Sequence, residues 1–301
     1  MTPREIIAQA WAITTKTAAV RRWSFVSSLF ETMLNVKLLI YQVYFAFKYI
    51  DGSGGAGFFD IEIMIYQSMP FWLFLSIVSF FVTLIVVELF IPHFCTGAII
   101  GLAAKSYRGE PVKGGLVLGL YNFFPIFAIH EFLGLAGLSI VITVFSLILR
   151  YVSGDIKYWC IGVLAFLFLL SNVLKFLFSF ANEGVVLQKL NIFHAIGRSF
   201  KLIMSHLSHI MFLLLLLFVI SIRILLNVAT VILVPAIVVG IAVLLTHVFS
   251  QALAYSIAAI VGIALIIIAS YFFAYVHAFK HCVWTITYLE LTKHKDLDVI
   301  L

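Results

Sequence analysis

The sequence predicts an all-α protein, a polytopic transmembrane helical bundle with six spans. Of its 301 residues, 64% are hydrophobic and 11% are charged, a composition typical of helical membrane proteins. The Lys and Arg residues cluster in short segments between long apolar runs, as expected where they border membrane spans. No segment between the apolar runs is long enough to form a soluble core. We therefore expect a single integral membrane domain over residues 1–301.

Six apolar runs are long enough to cross a membrane. A hydrocarbon core of about 30 Å needs about 20 helical residues. The predicted spans are Ser24–Phe47, Met69–Ile91 closed by Pro92, about Pro125–Leu149, Tyr158–Phe180, a span that begins near Ile210, and about Ala252–Val276. The apolar positions before the third span, Leu116 to Phe124, have helical spacing and are expected to lie along the membrane surface.

The fifth run is too long for one crossing. Residues 210–248 would form a helix of roughly 58 Å. It must break, and Arg223–Asn227 or Pro235–Gly240 are suitable places. Residues 228–250 then cross back as a seventh span, enter the outer leaflet as a re-entrant segment, or lie on the outer surface.

The distribution of cations favours six spans. With six, most of the 19 Lys and Arg residues lie on one side. These are Arg4, Lys16, Arg21, Arg22, Lys105, Arg108, Lys113, Lys175, Lys189, Arg198, Lys201, Lys280, Lys293 and Lys295. Seven spans would place the last three lysines outside, against the positive-inside rule. We therefore expect a multi-pass protein of the cell inner (plasma) membrane with both termini in the cytoplasm.

The basic charge and the cysteines have structural interpretations. The basic residues behind the net charge of +6 lie beside apolar spans. This position predicts contact with membrane lipids and no binding of nucleic acid. Cys95, Cys160 and Cys282 lie in or beside apolar helices without a C-x-x-C partner, as structural thiols do. The basic opening of about 22 residues before the first apolar run predicts an interfacial helix, not a secretory signal.

The chain repeats a unit three times. Each unit has a basic amphipathic segment followed by an outward and an inward span, over about 1–108, 109–190 and 191–301. The clearest amphipathic segment is 191–207, in which Ile196, Phe200, Ile203 and Leu207 form one predicted buried stripe. We expect each segment to be a cytoplasmic interfacial helix.

The segment FHAIGRSFKLIMSHLSHIMFLLLLLF at 193–218 carries a family resemblance. This surface helix before an outward span, within a six-span layout, resembles the membrane domain associated with bacterial glycerophosphodiester phosphodiesterases. It is also similar to related six-span bacterial membrane proteins of unknown function. The resemblance covers about residues 109–290 and concerns layout. Because that family's activity resides in a separate soluble barrel, the resemblance implies a non-catalytic membrane part.

Five ionisable residues fall within predicted spans and are candidates for function. They are Arg223, Glu88, Glu131, Glu31 and Lys37. Charged groups at this depth are costly and usually find partners. Arg223 is expected to pair with Glu88 or Glu131, with Glu31 third. Such a pair either fixes helix register or marks a substrate or proton site.

The chain lacks the common catalytic and nucleotide-binding motifs. No H-E-x-x-H, Walker sequence or nucleophile elbow is present, and no cofactor, metal ligand or catalytic residue is expected. His277 and His281 are four residues apart, and His206 and His209 are three apart, but both pairs fall at the inner interface. His130 and Glu131 are adjacent and are expected to point to different helix faces.

Three functions remain open. The first is an integral inner-membrane protein without catalytic activity, an envelope- or lipid-associated accessory component. The second is a small transporter or permease subunit with a polar site around Arg223. The third is a membrane-embedded lipid-modifying enzyme using Glu131, Glu88 and His93. Convergence of carboxylates and histidines on an open groove would favour the enzyme, and a closed bundle the accessory role.

Overall fold

The computed structural model describes residues 1–50, 63, 66–67, 69–132, 138–215, 218, 240–241, 244–247 and 249–293. The described residues form α-helices and no strands, which confirms the predicted all-α class. The helices are α1 (Pro3–Lys16), α2 (Ala18–Ile50), α3 (Phe71–Tyr107), α4 (Gly115–Phe132), α5 (Leu138–Tyr151), α6 (Ile156–Leu177), α7 (Ala181–Gln188), α8 (Ile192–Ser205) and α9 (Gln251–Lys293). Residues 207–215 are also helical.

Within the described residues, three helical stretches are long and apolar enough to cross a membrane. They are Phe71–Tyr107, Ile156–Gln188 and Ser256–Lys293, and few residues in their most apolar windows are buried. Gly115–Glu131 and Ile140–Tyr151 are shorter apolar helices. The structure therefore agrees with a helical membrane protein, while the count of six spans stays a prediction.

The large exposed side chains mark the membrane-crossing part of each long helix. On α3 they run from Phe71 to Leu89, on α6 from Ile156 to Val173, and on α9 from Leu253 to Phe272. Each stretch is about 20 residues long, which matches a hydrocarbon core of ~30 Å. Beyond these stretches, the ends of α3 and α9 are largely buried.

Two helices extend beyond the ends of the predicted spans, while the spans themselves stay predictions. Pro92, which was expected to close the second span, does not end the helix, because α3 continues through it to Tyr107. Pro92 lacks an amide hydrogen, so it removes one helical hydrogen bond, the one that would end at the Glu88 carbonyl, without ending α3. The sixth span was expected to end near Val276, whereas α9 continues to Lys293.

The third predicted span is covered by two helices, α4 and α5, and the residues between them are outside the described part of the chain. The positions expected to lie along the membrane surface instead belong to α4, which packs against the buried half of α3. Leu116, Leu120 and Phe124 are exposed on its outer face.

The ends of the long helices and the short helices form a packed core, which we call the base. It contains residues of α1, α3, α7, α8 and α9, including Ile6, Ile99, Leu202 and Val283, each almost fully buried. Removing each such side chain from water contributes about 1.5–3 kcal/mol. This core is not predicted from the sequence, because each contributing segment is short.

Helix α1 is held in the base by local and tertiary contacts. Thr2 and Glu5 form a capping box, since the Glu5 amide donates to Thr2 Oγ1 at 3.4 Å and the Thr2 amide to Glu5 Oε2 at 2.9 Å. Ile6 and Ala10 are buried on one face. Trp11 meets Phe279 of α9 edge-on, with ring centroids 5.8 Å apart.

Helix α8 is present where the sequence predicts it, but its buried face differs. The buried residues are Ala195, Ser199, Leu202 and Ile203. Of the predicted stripe only Ile203 is buried, while Phe200 is 43% exposed. The reason is close packing: Ala195 approaches Gly184 of α7, and Ser199 Oγ donates to the Leu177 carbonyl at 2.9 Å. Ala195 and Ser199 therefore pack closely against α7 and the end of α6, Leu202 and Ile203 enter the base, and Phe200 faces outward.

Candidate functional site

Polar and titratable side chains gather where the membrane-crossing stretches meet the base. His93 lies one turn after the last exposed apolar residue of α3, Leu89. Lys175 and His277 occupy equivalent positions on α6 and α9, just beyond Val173 and Phe272. The side chains therefore lie at the level of one membrane boundary, where water and lipid headgroups are within reach.

His93, His130 and Glu131 form a compact group of possible metal ligands, which we call the triad. One ligand atom from each residue lies within 4.8 Å of the others. The two imidazole rings meet edge-on, with centroids 4.3 Å apart. His93 is 7% exposed, while His130 and Glu131 at the end of α4 are exposed. The triad is thus anchored on one side and open on the other.

Helix packing explains why the triad forms. Helix α4 runs antiparallel to the second half of α3, with Gly97 and Gly101 of α3 facing Asn122 and Leu118 of α4. This register places the last turn of α4 beside His93. Adjacent helical residues such as His130 and Glu131 project about 100° apart, as expected from the sequence. A ligand atom of each nevertheless lies within 4.8 Å of one of His93.

The tautomer of His93 leaves one ring nitrogen available. Its Nδ1 lies 2.8 Å from the Leu89 carbonyl, so Nδ1 carries the proton and donates. Nε2 then has a free lone pair, and this buried atom has no hydrogen-bond partner. A carbonyl on one nitrogen commonly orients a histidine for ligation through the other.

Glu31 of α2 interacts with a second pair of histidines. Its Oε1 lies 3.6 Å from His277 Nε2 and accepts a hydrogen bond from Ser27 Oγ at 3.3 Å. The rings of His277 and His281 have centroids 4.5 Å apart. Glu31 is also close enough to His93 to interact electrostatically, so the two groups of histidines share one carboxylate.

Two lysines border the open side of the triad. Lys175 of α6 and Lys280 of α9 both interact electrostatically with His130 and with each other. Both residues are exposed. They give the outer rim of the site a positive charge at the membrane boundary.

Lys37 and Glu88 form an ion pair in the membrane-crossing part, farther from the base than the triad. Lys37 Nζ donates to Glu88 Oε1 at 2.6 Å, and Glu88 is 1% exposed. The Lys37 ammonium also lies 5.8 Å from the Phe81 ring centroid. Two of the predicted intramembrane candidates are thus partners of each other. Glu88 and His93 belong to different parts of the structure, one in this pair and the other in the triad.

The predicted partner of Arg223 stays untested. Arg223 lies outside the described residues, as does most of 228–250, so neither its pairing nor the path of that segment is resolved. The transporter hypothesis centred on Arg223 therefore remains a prediction. On α2, Ser28 is buried, and Gln42 Nε2 donates to Thr143 Oγ1 of α5 at 3.2 Å.

The comparisons with known proteins add no relative. No protein-family model, curated protein or solved structure matches this chain. The resemblance to the membrane domain of glycerophosphodiester phosphodiesterases therefore stays a prediction.

Proposed function

We propose that this chain is an integral inner-membrane protein without catalytic activity, which acts as an envelope- or lipid-associated accessory component. The observation that carries the proposal is the packed base at one end of apolar helices whose crossing stretches have few buried residues. Such a chain concentrates its own packing at one membrane face. It leaves the crossing stretches free to contact lipid or other membrane proteins.

The charge of the base supports contact with anionic lipid. Most of its exposed ionisable side chains are cationic, and the exposed acids among the described residues of the base and its edge are Glu5, Glu110 and Glu131. The exposed cations are Arg4, Lys16, Arg22, Arg108, Lys113, Lys175, Lys189, Lys201, Lys280 and Lys293. Each basic residue near an anionic membrane surface contributes about 1 kcal/mol. The base is therefore suited to the cytoplasmic leaflet.

The positions of the chain ends support six spans. Helix α1 packs against the end of α9, and Tyr107 at the end of α3 donates to Glu290 Oε1 at 2.5 Å. The first helix and the last described turn thus lie at one end of the molecule, as an even number of crossings requires. We place both termini in the cytoplasm, with α1 and α8 as interfacial helices and three hairpin repeats.

Lipid dependence of stability tests the accessory role. The purified protein in nanodiscs should unfold at a higher temperature in phosphatidylglycerol than in phosphatidylcholine. The triple variant Arg22→Gln, Lys113→Gln, Lys201→Gln should lose most of that difference. Lys157→Gln, at the opposite end of α6, is the matched control and should retain it. Equal stability of the unmodified protein in both lipids would contradict the proposal.

A membrane-embedded lipid-modifying enzyme is the second candidate, because the triad brings histidines and a carboxylate together on an open side. Paired imidazoles and carboxylates serve as general acids and bases or bind a metal. Mass spectrometry of lipids incubated with the reconstituted protein distinguishes the two functions. Unchanged lipids support the accessory role. The enzyme hypothesis is supported if lysolipid, diacylglycerol or phosphatidic acid is formed by the unmodified protein and is not formed by the His130→Ala variant.

A further inference from the structure

We propose that His93, His130 and Glu131 bind a divalent first-row transition metal, with zinc as the best match. The proposal rests on the side-chain cluster and stands whether the protein is an accessory component or an enzyme, since zinc serves structural and catalytic roles. The site lies where the membrane-crossing part of α3 meets the base.

The ligand set has the chemistry that zinc prefers. Two imidazoles and one carboxylate are the protein ligands of several zinc sites that keep a fourth position open. The same set on one face of an iron centre leaves positions for other ligands. Zinc–nitrogen and zinc–oxygen bonds are about 2.0–2.2 Å long. Ligand atoms around one such ion therefore lie about 3–4 Å apart, and the triad's atoms, all within 4.8 Å, need only small side-chain rotations.

His93 provides the preorganised ligand. Its Nδ1 is held by the Leu89 carbonyl, and its buried Nε2 has no hydrogen-bond partner. A buried polar atom without a partner is costly, and a metal ion would satisfy it. His130 and Glu131 sit on the last turn of α4, so they can close on the ion without repacking the core.

The surrounding charges define what the open position accepts. Glu131 and the nearby Glu31 are the negative groups that interact with His93, and they offset the charge of the ion. Lys175 and Lys280 are the positive groups that interact with His130. They lie on the exposed side, where they weaken cation binding but favour an anion at the fourth position. The metal would then hold a water or an anionic oxygen at the membrane boundary.

Cobalt and zinc titration of the full-length protein in detergent tests the proposal. The protein is first stripped of metal with a chelator, then titrated with Co²⁺, whose visible d–d absorption reports nitrogen and oxygen ligation, and Co²⁺ is displaced with Zn²⁺. We expect one site per chain. His130→Ala and Glu131→Gln each lower the zinc affinity by roughly 100-fold or more, above the 10–100-fold cost of losing a supporting residue.

Two controls keep the result specific. His194→Ala removes an exposed histidine of α8 and leaves the affinity unchanged, and circular dichroism verifies that each variant is folded. Both triad variants change exposed side chains, so they are expected to fold. The proposal is overturned if Co²⁺ gives no d–d spectrum or if both triad variants bind zinc as tightly as the unmodified protein does. It is also overturned if His277→Ala abolishes zinc binding while the two triad variants retain it.

Discussion

Lys37 and Glu88 show how a membrane-crossing helix carries charge. Their ion pair lies between α2 and α3, at a level where other α3 side chains, such as Ile85 and Leu89, are exposed. The pair lies near the end of the crossing stretch, where a charge costs less than the value of about 2.5–3.5 kcal/mol at the bilayer centre, and the short hydrogen bond offsets part of that cost. Because the pair joins two long helices, it also fixes their register.

Removing one partner should therefore cost more than removing both. Lys37→Met leaves Glu88 buried and unpaired, and we expect the unfolding free energy to fall by about 3 kcal/mol. The double variant Lys37→Met, Glu88→Gln should recover much of it. Lys201→Met, which removes the same charge from an exposed position, is the control. Unfolding in mixed micelles measures all four proteins, and a double variant less stable than Lys37→Met would contradict the pairing.

Glu290 gives the base a pH-dependent contribution. It lies well beyond the membrane-crossing stretch of α9, which ends near Phe272. Burial acts to raise the pKa of Glu290, but hydrogen bonds from Lys293 at 2.7 Å and Tyr107 at 2.5 Å outweigh it and hold the pKa at about 2. A pKa below the ordinary value of 4.5 means that folding favours the ionised form.

The stabilisation by Glu290 should therefore be complete above pH 4.5 and be lost as the pH falls towards 2. We expect Glu290→Gln to lower the melting temperature at pH 7 and to differ less from the unmodified protein as the solution is acidified. Glu110→Gln is the control, because that exposed acid makes one long contact of 3.9 Å with Arg108. A difference that stays constant from pH 7 to pH 3 would rule out this origin.

At the scale of elements, α3 and α4 are joined by small residues on both sides. Gly97 and Gly101 are four apart on α3, and Gly115 and Gly119 are four apart on α4. This small-xxx-small spacing lets two helix backbones approach closely and is common between membrane helices. Of these glycines, Gly119 lies closest to the backbone of the other helix: an added Cβ would lie 2.7 Å from the Phe94 carbonyl oxygen.

Substitution of these glycines should separate close packing from helix propensity. Gly119→Ala should destabilise the protein by about 1–3 kcal/mol, because the backbone of α3 would have to shift. Gly101→Ala should cost less, since the atom it meets at 2.7 Å is the end of the flexible Leu118 side chain. Gly162→Ala on α6 meets nothing within 4 Å and should be neutral or slightly stabilising. Equal effects in thermal unfolding would contradict the α3–α4 contact.

The sequence predicts the helices better than it predicts their partners. The predicted stripe of Ile196, Phe200, Ile203 and Leu207 has helical spacing, yet only Ile203 of it is buried, together with Ala195, Ser199 and Leu202. In water the largest apolar face is buried, but beside a membrane large side chains also face lipid, and small ones pack against protein. Hydrophobicity alone therefore does not identify the inner face of such a helix.

For the candidate site too, the sequence identifies the charged residues better than it identifies their partners. Glu88, Glu131, Glu31 and Lys37 are found from sequence, because charge in an apolar run is conspicuous. His130 is missed as a ligand, since its meeting with His93 depends on the register of α3 and α4. The glycine spacing at 97, 101, 115 and 119 is the signal that could have placed the two helices together.

For the whole molecule, the base is the feature that amino-acid composition does not predict. It combines α1, α7 and α8 with the ends of α3 and α9. In the sequence, each of these segments has the pattern of a span end or of a short amphipathic helix. Helices of 37 and 43 residues are about 55 and 65 Å long, well beyond a ~30 Å hydrocarbon core. Their surplus length is what builds the base on one side of the membrane.

The six-span topology makes a prediction for the whole chain. Asp155 precedes the crossing stretch of α6 at the end opposite the base, and Asp51 directly follows α2 in the sequence. Lys293, the last residue of α9, lies at the base. Alkaline phosphatase, which is active only outside the cytoplasm, should be active when fused after Asp51 or Asp155 and inactive after Leu301. A green fluorescent protein at the same positions should give the reverse pattern. Fusion after Gly109, between α3 and α4, is the inner control. Because α1 and the end of α9 pack together, an active phosphatase at Leu301 would contradict both the topology and the cytoplasmic placement of the base.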